Sequence, residues 1–389
     1  MRVLSGPRTT HKLAINRLRE RRPLEPGVID RFLARHEVPI VEGVRCTFLY
    51  RGEADEVYVV HRVFGLPDHL ALRRLRGTDL WYVVIELPEG SRVEYQLEVV
   101  RGDYRERVND PLNPKLAHSP VGSSSVCYAR GHEIPDWTRF DPDARPGTLT
   151  DLVVPSRALR RETRVTLYLP ARFRRTRRYP LLIVHDGGDY LEYAAAKTVL
   201  DNLIHRLDVA ELVAAFSYPG DRLAEYANSA AQARFLTAEL LPRLEAELPL
   251  AGRPAGRCLM GSSFGAVASL ATAYRNPDTY GSLLLESGSF VFTDIGNDHG
   301  GGPVFEPVVR FMNRYRAAPR RVADRLFVSC GTYEPLIVPN RSMVPVFEAA
   351  GMTVRFTEAR DGHSWENWRD RLRDGLSWIF PGPQKYYYE

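Results

Sequence analysis

Cysteine is scarce in this chain: only Cys46, Cys127, Cys258 and Cys330 occur among 389 residues, and no two form a C-x-x-C pair. Each lies in or beside an apolar, strand-like run. That pattern reads as buried free thiols in a reducing cytoplasm, and argues against a disulfide framework or a cysteine-built zinc site. Long apolar runs are missing too. No stretch approaches the roughly 20 residues that a membrane-spanning helix needs, and Met1–Pro26 has no apolar segment of the signal-peptide kind. A cytoplasmic location with no membrane partner is the expectation. Charge of one sign is not in excess, since 53 basic against 48 acidic residues leave only +5. The arginine-rich runs 17–22 and 174–178 carry no interleaved aromatics. They read as solvated surface, so no nucleic-acid partner is expected. His185, Asp186 and Asp189 lack a second histidine at helical spacing, and Gly300-Gly301-Gly302 has no following Lys-Ser/Thr. Neither a metal site nor a phosphate loop is indicated, and no cofactor is implied.

What is present divides into two kinds of pattern. Residues 1–42 form an N-terminal segment, and residues 43–143 offer short β-rich runs separated by turn residues. The runs are Val44–Tyr50, Glu56–Val60, Leu80–Ile85, Val93–Val100 and Ser125–Tyr128. In the fourth, Val93, Tyr95, Leu97 and Val99 alternate onto one face, so a small antiparallel sandwich is predicted. Asn109–Pro114 is a turn-rich link before its last strand, and Asp141–Gly147 has the composition of an inter-domain linker. Over residues 144–389 strands alternate with helical patterns. Strands are predicted at Arg164–Leu169, Pro180–His185, Leu212–Phe216, Arg257–Met260, Gly281–Glu286, Arg325–Cys330 and Thr353–Phe356. Helices are predicted at Ala194–Leu207, Gln232–Leu248, Phe264–Tyr274 and Glu366–Ile379. This rhythm specifies an α/β fold with a mainly parallel sheet covered on both faces. Gly296–Pro303 reads as a flexible loop.

Gly261-Ser262-Ser263-Phe264-Gly265 carries the strongest chemical signal. A serine hydroxyl is a weak nucleophile and must be displayed where a base and backbone donors reach it together. A sharp strand-to-helix turn does this, with flanking glycines relieving the crowding. Ser263 is therefore the candidate nucleophile of an α/β-hydrolase domain. Such a site requires an acid and then a histidine, each after a later strand. His363, in Asp361-Gly362-His363-Ser364-Trp365 after the last strand, is the candidate base. His185, His205 and His299 fit less well by position. Glu334, just past the strand ending at Cys330, is the candidate acid, with Asp361 as the alternative. The oxyanion hole needs two N–H groups, one from Phe264 and one from Gly187 or Gly188 in the loop after Pro180–His185.

Several further segments point the same way: Asp221-Arg222-Leu223-Ala224-Glu225-Tyr226, Glu239–Pro242, Ser287-Gly288-Ser289-Phe290, Glu334–Ile337 and Gly362–Arg369. Together with the elbow they resemble the enterochelin (siderophore) esterase family. The N-terminal β-rich region, with Asp110-Pro111-Leu112-Asn113-Pro114, resembles the Ig-like domain that precedes the catalytic domain there. The resemblance covers nearly the whole chain after about Gly43. It implies ester hydrolysis by a serine–histidine–acid site, in that family of cyclic triserine-ester siderophores; the expectation for this chain is an acyl-enzyme route on siderophore-like or aryl esters. Ala266 stands where the family often has a second glycine, and Phe290-Val291 where a tryptophan commonly follows Ser-Gly-Ser. Both departures bear on the substrate rather than on the chemistry. Arg222, Glu225 and Trp365 are the expected substrate-binding residues. Arg222 offers a fixed positive charge to an anionic ferric catecholate, and the alternative is that Arg222 and Glu225 pair to brace their loop. The partner is a small-molecule ester, and oligomeric state is not encoded legibly. The rival readings are an acyltransferase with the same acyl-enzyme, and a binding protein whose hydrolase domain is inactive.

Overall fold

The computed structural model describes residues 2–3, 12–20, 27–293 and 302–383. His299, Arg21, Arg22 and most of the Gly296–Pro303 segment lie outside the described residues. The chain forms two compact units. One comprises residues 1–133 with the short segments 332–334 and 360–362, and the other comprises 134–331, 335–359 and 363–389.

The first unit has two antiparallel sheets. One contains β1 (Arg2–Val3), β2 (Ile40–Glu42), β3 (Arg45–Arg51), β6 (Arg73–Arg74) and β7 (Leu80–Glu86). The other contains β4 (Glu56–His61), β5 (His69–Ala71), β8 (Arg92–Arg101), β9 (Tyr104–Val108), β10 (Leu116–Ser119) and β11 (Gly122–Tyr128). Val93, Tyr95, Leu97 and Val99 of β8 do share one face, packed against Phe48, Trp81, Val83 and Ile85 of the facing sheet. Period-two alternation along half-buried strands dictates this. The alternate side chains of the first sheet, Leu49, Leu80 and Tyr82, are covered by α1 (Ala14–Glu20) and α2 (Val28–Leu33) through Ile15, Leu18, Val28 and Phe32. The N-terminal segment is thus an integral layer of this unit. The Asp110–Pro114 turn is tied down from within. Tyr95 Oη donates to Asp110 Oδ2 at 2.6 Å and accepts from Asn113 Nδ2 at 3.1 Å. Cys46, Cys127, Cys258 and Cys330 are all buried.

The second unit is built on an eight-stranded sheet in the order β12-β13-β15-β14-β16-β17-β18-β19. The strands are β12 (Thr148–Ser156), β13 (Arg161–Leu169), β14 (Leu181–Val184), β15 (Val213–Ser217), β16 (Arg257–Ser262), β17 (Ser282–Glu286), β18 (Arg325–Gly331) and β19 (Thr353–Ala359). Six of them, β14 to β19, are parallel, whereas β12 and β13 form an antiparallel hairpin and β13 joins β15 antiparallel. The sheet is thus mainly parallel, as expected, and the strand predicted at Arg164–Leu169 lies in its antiparallel part. β12 escapes the sequence pattern because it is an edge strand with mostly exposed side chains. The Asp141–Gly147 stretch is no free linker, because the preceding turn is fastened to α4 (Ala196–His205). Asn202 Nδ2 donates to the carbonyls of Trp137 and Arg139, and Gly147 N donates to Asp201 Oδ1.

Burial of both faces explains the unbroken apolar strands. Leu181 and Ile183 of β14 enter one core layer, and Leu182 and Val184 enter the other. The first layer lies under α5 (Arg222–Tyr226), α6 (Ala230–Arg234), α7 (Leu241–Glu247), α8 (Phe264–Arg275), α9 (Glu306–Ala317) and α10 (Ile337–Ala349). The second lies under α3 (Gly187–Glu192), α4 and α11 (Trp365–Ile379). The helix predicted over Gln232–Leu248 is broken by a π-helical stretch, Phe235–Leu240. Pro242 follows it and has no N–H for the ladder. Glu239 in that stretch accepts from Ser156 Oγ at 2.5 Å and from the N–H groups of Arg157 and Ala158, clamping the β12–β13 turn.

Candidate active site

β16 ends at Ser262, and the chain enters α8 directly after Ser263. To make that turn Ser263 adopts φ 55°, ψ −119°, a conformation that side chains avoid and that persists only when the surroundings enforce it. The neighbours do enforce it. Ser263 N donates to Glu286 O at 2.9 Å, and Ser289 N donates to Ser263 O at 3.2 Å. A Cβ on Gly261 would lie 2.5 Å from the carbonyl of Gly265, so position 261 admits only glycine. A Cβ on Gly265 would come within 3.2 Å of His185. The first glycine of the motif is thus demanded by sterics and the second sits in a tight contact, as expected for a nucleophile elbow. Ser263 Oγ lies 3.2 Å from Ser289 Oγ.

Phe264 is the first residue of α8, where N–H groups have no acceptor within the helix. Gly187 and Gly188 open α3 immediately after β14. Their lack of a side chain has a packing cause: a Cβ on Gly187 would sit 2.4 Å from the Phe216 backbone, and one on Gly188 2.5 Å from the Tyr218 ring. His363 follows β19 and is exposed. Parallel strands put the ends of β14, β16 and β19 on one sheet edge, so the turn bearing Ser263, the Gly187–Gly188 turn and the His363 loop all start from that edge. Glu334 comes three residues past β18 and is 2% exposed. Asp361 is held by Arg92 in a buried pair, with Nε–Oδ1 3.2 Å and Nη2–Oδ2 2.7 Å, and also accepts from Gly362 N.

The loop after β14 contains a charged cluster that sequence reading did not find. Asp186, at φ 53°, is 2% exposed and receives both guanidinium arms of Arg222, Nε at 2.8 Å and Nη2 at 2.7 Å. Its N–H donates to Tyr226 Oη at 3.0 Å. Arg222 therefore does not pair with Glu225. Glu225 is bound instead by Arg161, through Nε and Nη2 at 2.9 Å each. Arg222 keeps a third of its side chain exposed, and Trp365 is buried between Tyr190 and Trp368. Asp189 in the same loop is pushed up to about 6 by burial and by the Asp186 charge. His185 is a core residue: its Nδ1 donates to Met260 O at 3.0 Å, and burial pushes it down to about 4. Among the described residues no group of His, Cys, Asp and Glu could hold a metal ion, and no helix is long and apolar enough to cross a membrane.

Beneath the elbow, Glu286 ends β17 opposite Ser262. It is fully buried, takes a 2.7 Å hydrogen bond from Tyr190 Oη, and is pushed up to about 8 by burial. Ser287 follows at φ 45° and accepts from Trp368 Nε1 at 2.9 Å. Asn340 holds Gly288 through both its N–H and its carbonyl. The Ser-Gly-Ser motif was the one signal in the sequence that could have pointed to this layer.

Known proteins agree with this architecture. A family model described as "Putative esterase" matches residues 156–379. Iron(III) enterobactin esterase of Dickeya dadantii is 27% identical over 419 residues, covering 90% of this chain and 92% of that protein. The crystal structure of the enterobactin esterase of Shigella flexneri in the presence of enterobactin superposes with a TM-score of 0.74 at 20% identity. The match covers 92% of this chain and 99% of that one. A ferulic acid esterase structure matches 61% of this chain and 99% of its own, with a TM-score of 0.54 at 20% identity. With a family model spanning more than half its length, the chain belongs to the esterase family, among the enterochelin esterases, and is a carboxylic ester hydrolase.

Proposed function

We propose that Ser263, His363 and Glu334 form a serine–histidine–acid site that hydrolyses siderophore-like or aryl esters through an acyl-enzyme. The observation that carries this is the strained Ser263, held at a positive φ on the sheet edge where the loop bearing His363 also starts. Ser263 Oγ attacks the ester carbonyl carbon while His363 takes its proton. The oxyanion is received by the N–H of Phe264 and of Gly187 or Gly188. Collapse expels the alcohol, which takes the proton from His363, and water repeats the sequence to release the acid and free Ser263. Glu334 orients the imidazole. Arg92 supports this assignment, since it already occupies both carboxylate oxygens of Asp361.

The relatives' action on iron(III) enterobactin suggests a cyclic triserine ester bearing catecholates, and the ferulic acid esterase neighbour an aryl ester. Arg222 is the cation for the anionic part of such a substrate, its free N–H groups remaining available beside Asp186. Glu225 and Trp365 serve by holding Arg161 and the aromatic layer. The N-terminal two-sheet unit is read as an Ig-like domain. Ser263→Ala is expected to abolish turnover of enterobactin and aryl esters with folding intact, and a serine-directed organophosphonate to label Ser263. Near-wild-type turnover in the purified variant would refute the site.

A further inference from the structure

We infer that Ser287 and Trp368 act as a positioning pair that fixes the imidazole of His363. The inference rests on the reading of His363 as the general base. Its geometry lies entirely within the α/β unit. The His363 ring stands edge to face against Trp368, centroids 5.0 Å apart at 90°. Trp368 is in the first turn of α11, which is capped by Ser364, and it is buried. Its indole N–H is anchored on Ser287 Oγ at 2.9 Å.

The anchor is itself held in an unfavourable conformation. Ser287 has φ 45°, and its N–H donates to Ser329 O at 2.7 Å on the neighbouring strand. Glycine would occupy such a backbone without strain. A serine there retains a hydroxyl at a conformational cost, and the hydroxyl's partner is the indole that braces His363. Observed strain of this kind clusters at functional sites.

The tryptophan is also fixed from its other side, so the anchor is one link in a closed circuit. Trp368 packs on Trp365 (4.7 Å, 82°), Trp365 packs on Tyr190 (5.2 Å, 89°), and Tyr190 Oη binds Glu286, the residue covalently joined to Ser287. No member can shift without disturbing the next. The exposed His363 thus has a rigid wall on which its ring orientation is set, and a base must be oriented to within a few tenths of an ångström to act.

Ser287→Gly separates hydroxyl from backbone, because it relieves the strain while deleting the anchor. The experiment measures kcat, KM and the pH profile of kcat/KM for an aryl ester with Ser287→Gly and Trp368→Phe, each alone and in a His363→Ala background. Each single variant should lower kcat about tenfold, with KM within about twofold, and move the acidic limb of the profile. Ser287→Gly should do so while melting no lower than wild type. In the His363→Ala background neither change should lower the residual rate further. If Ser287→Gly leaves kcat within about twofold of wild type, the inference fails, and equal losses with and without His363 also overturn it. Full activity of His363→Ala would instead overturn the reading of the base itself, which keeps the two failures distinct.

Discussion

Replacing Glu286 by glutamine isolates one buried ionisation. The carboxyl is fully buried, its only hydrogen bond among the described residues comes from Tyr190, and Oε1 has no partner. Burial pushes its pKa from an ordinary 4.5 to about 8. Below about pH 4.5 the group is protonated in both folded and unfolded chains and makes no difference. Between there and about pH 8 the folded protein keeps a proton that the unfolded chain has released, so stability falls as pH rises, and above that range the loss levels off. Each decade of proton affinity is about 1.4 kcal/mol, giving a ceiling of about 5 kcal/mol, and relaxation around the ionised group sets the floor near about 2 kcal/mol. Glutamine cannot ionise but can still accept from Tyr190. Urea unfolding of wild type and Glu286→Gln from pH 4.5 to 9 measures the effect, and groups common to both proteins cancel in the difference. The stability of the variant relative to wild type should rise by about 2–5 kcal/mol across that range. A gap constant to within about 0.5 kcal/mol would show that Glu286 is charged or solvated in the folded protein, and would refute the reasoning.

Glu334→Gln should lower kcat with little change in melting temperature. Asp361→Asn should chiefly cost stability, about 3–5 kcal/mol, because it strands the buried Arg92 guanidinium; the reverse pattern would move the acid to Asp361. Arg222→Ala leaves the buried Asp186 without its partner, so it should melt lower than wild type. Beyond that, KM for an anionic catecholate ester should rise about tenfold more than KM for a neutral aryl ester. Equal changes for both esters would leave Arg222 only its bracing role.

Local rules account for what could be read in advance. The elbow is legible because its requirements fall on consecutive residues: a strand, Gly261, Ser263, Gly265 and a helix of small side chains. The central strands are legible because two buried faces make every position apolar, as at Leu181–Val184. Sequence alone therefore determined the strand–turn–helix geometry around Ser263, the central parallel strands and the alternating face of β8. Pairing was not legible. Arg222 bonds Asp186 rather than Glu225 three positions away, and Arg161 takes Glu225 from 64 residues off. Trp368 finds Ser287 across 81 residues. A charge or an indole N–H carries no mark of its partner in its own neighbourhood, because the choice depends on which strand ends the sheet order brings together. The same holds for the β12 edge strand, which lacks an apolar signature because its side chains are mostly exposed, and for the N-terminal helices, whose short amphipathic faces mean nothing until Leu49, Leu80 and Tyr82 provide a surface to cover. Only the tertiary structure decided these, since burial of a polar group becomes tolerable only where the fold delivers its complement.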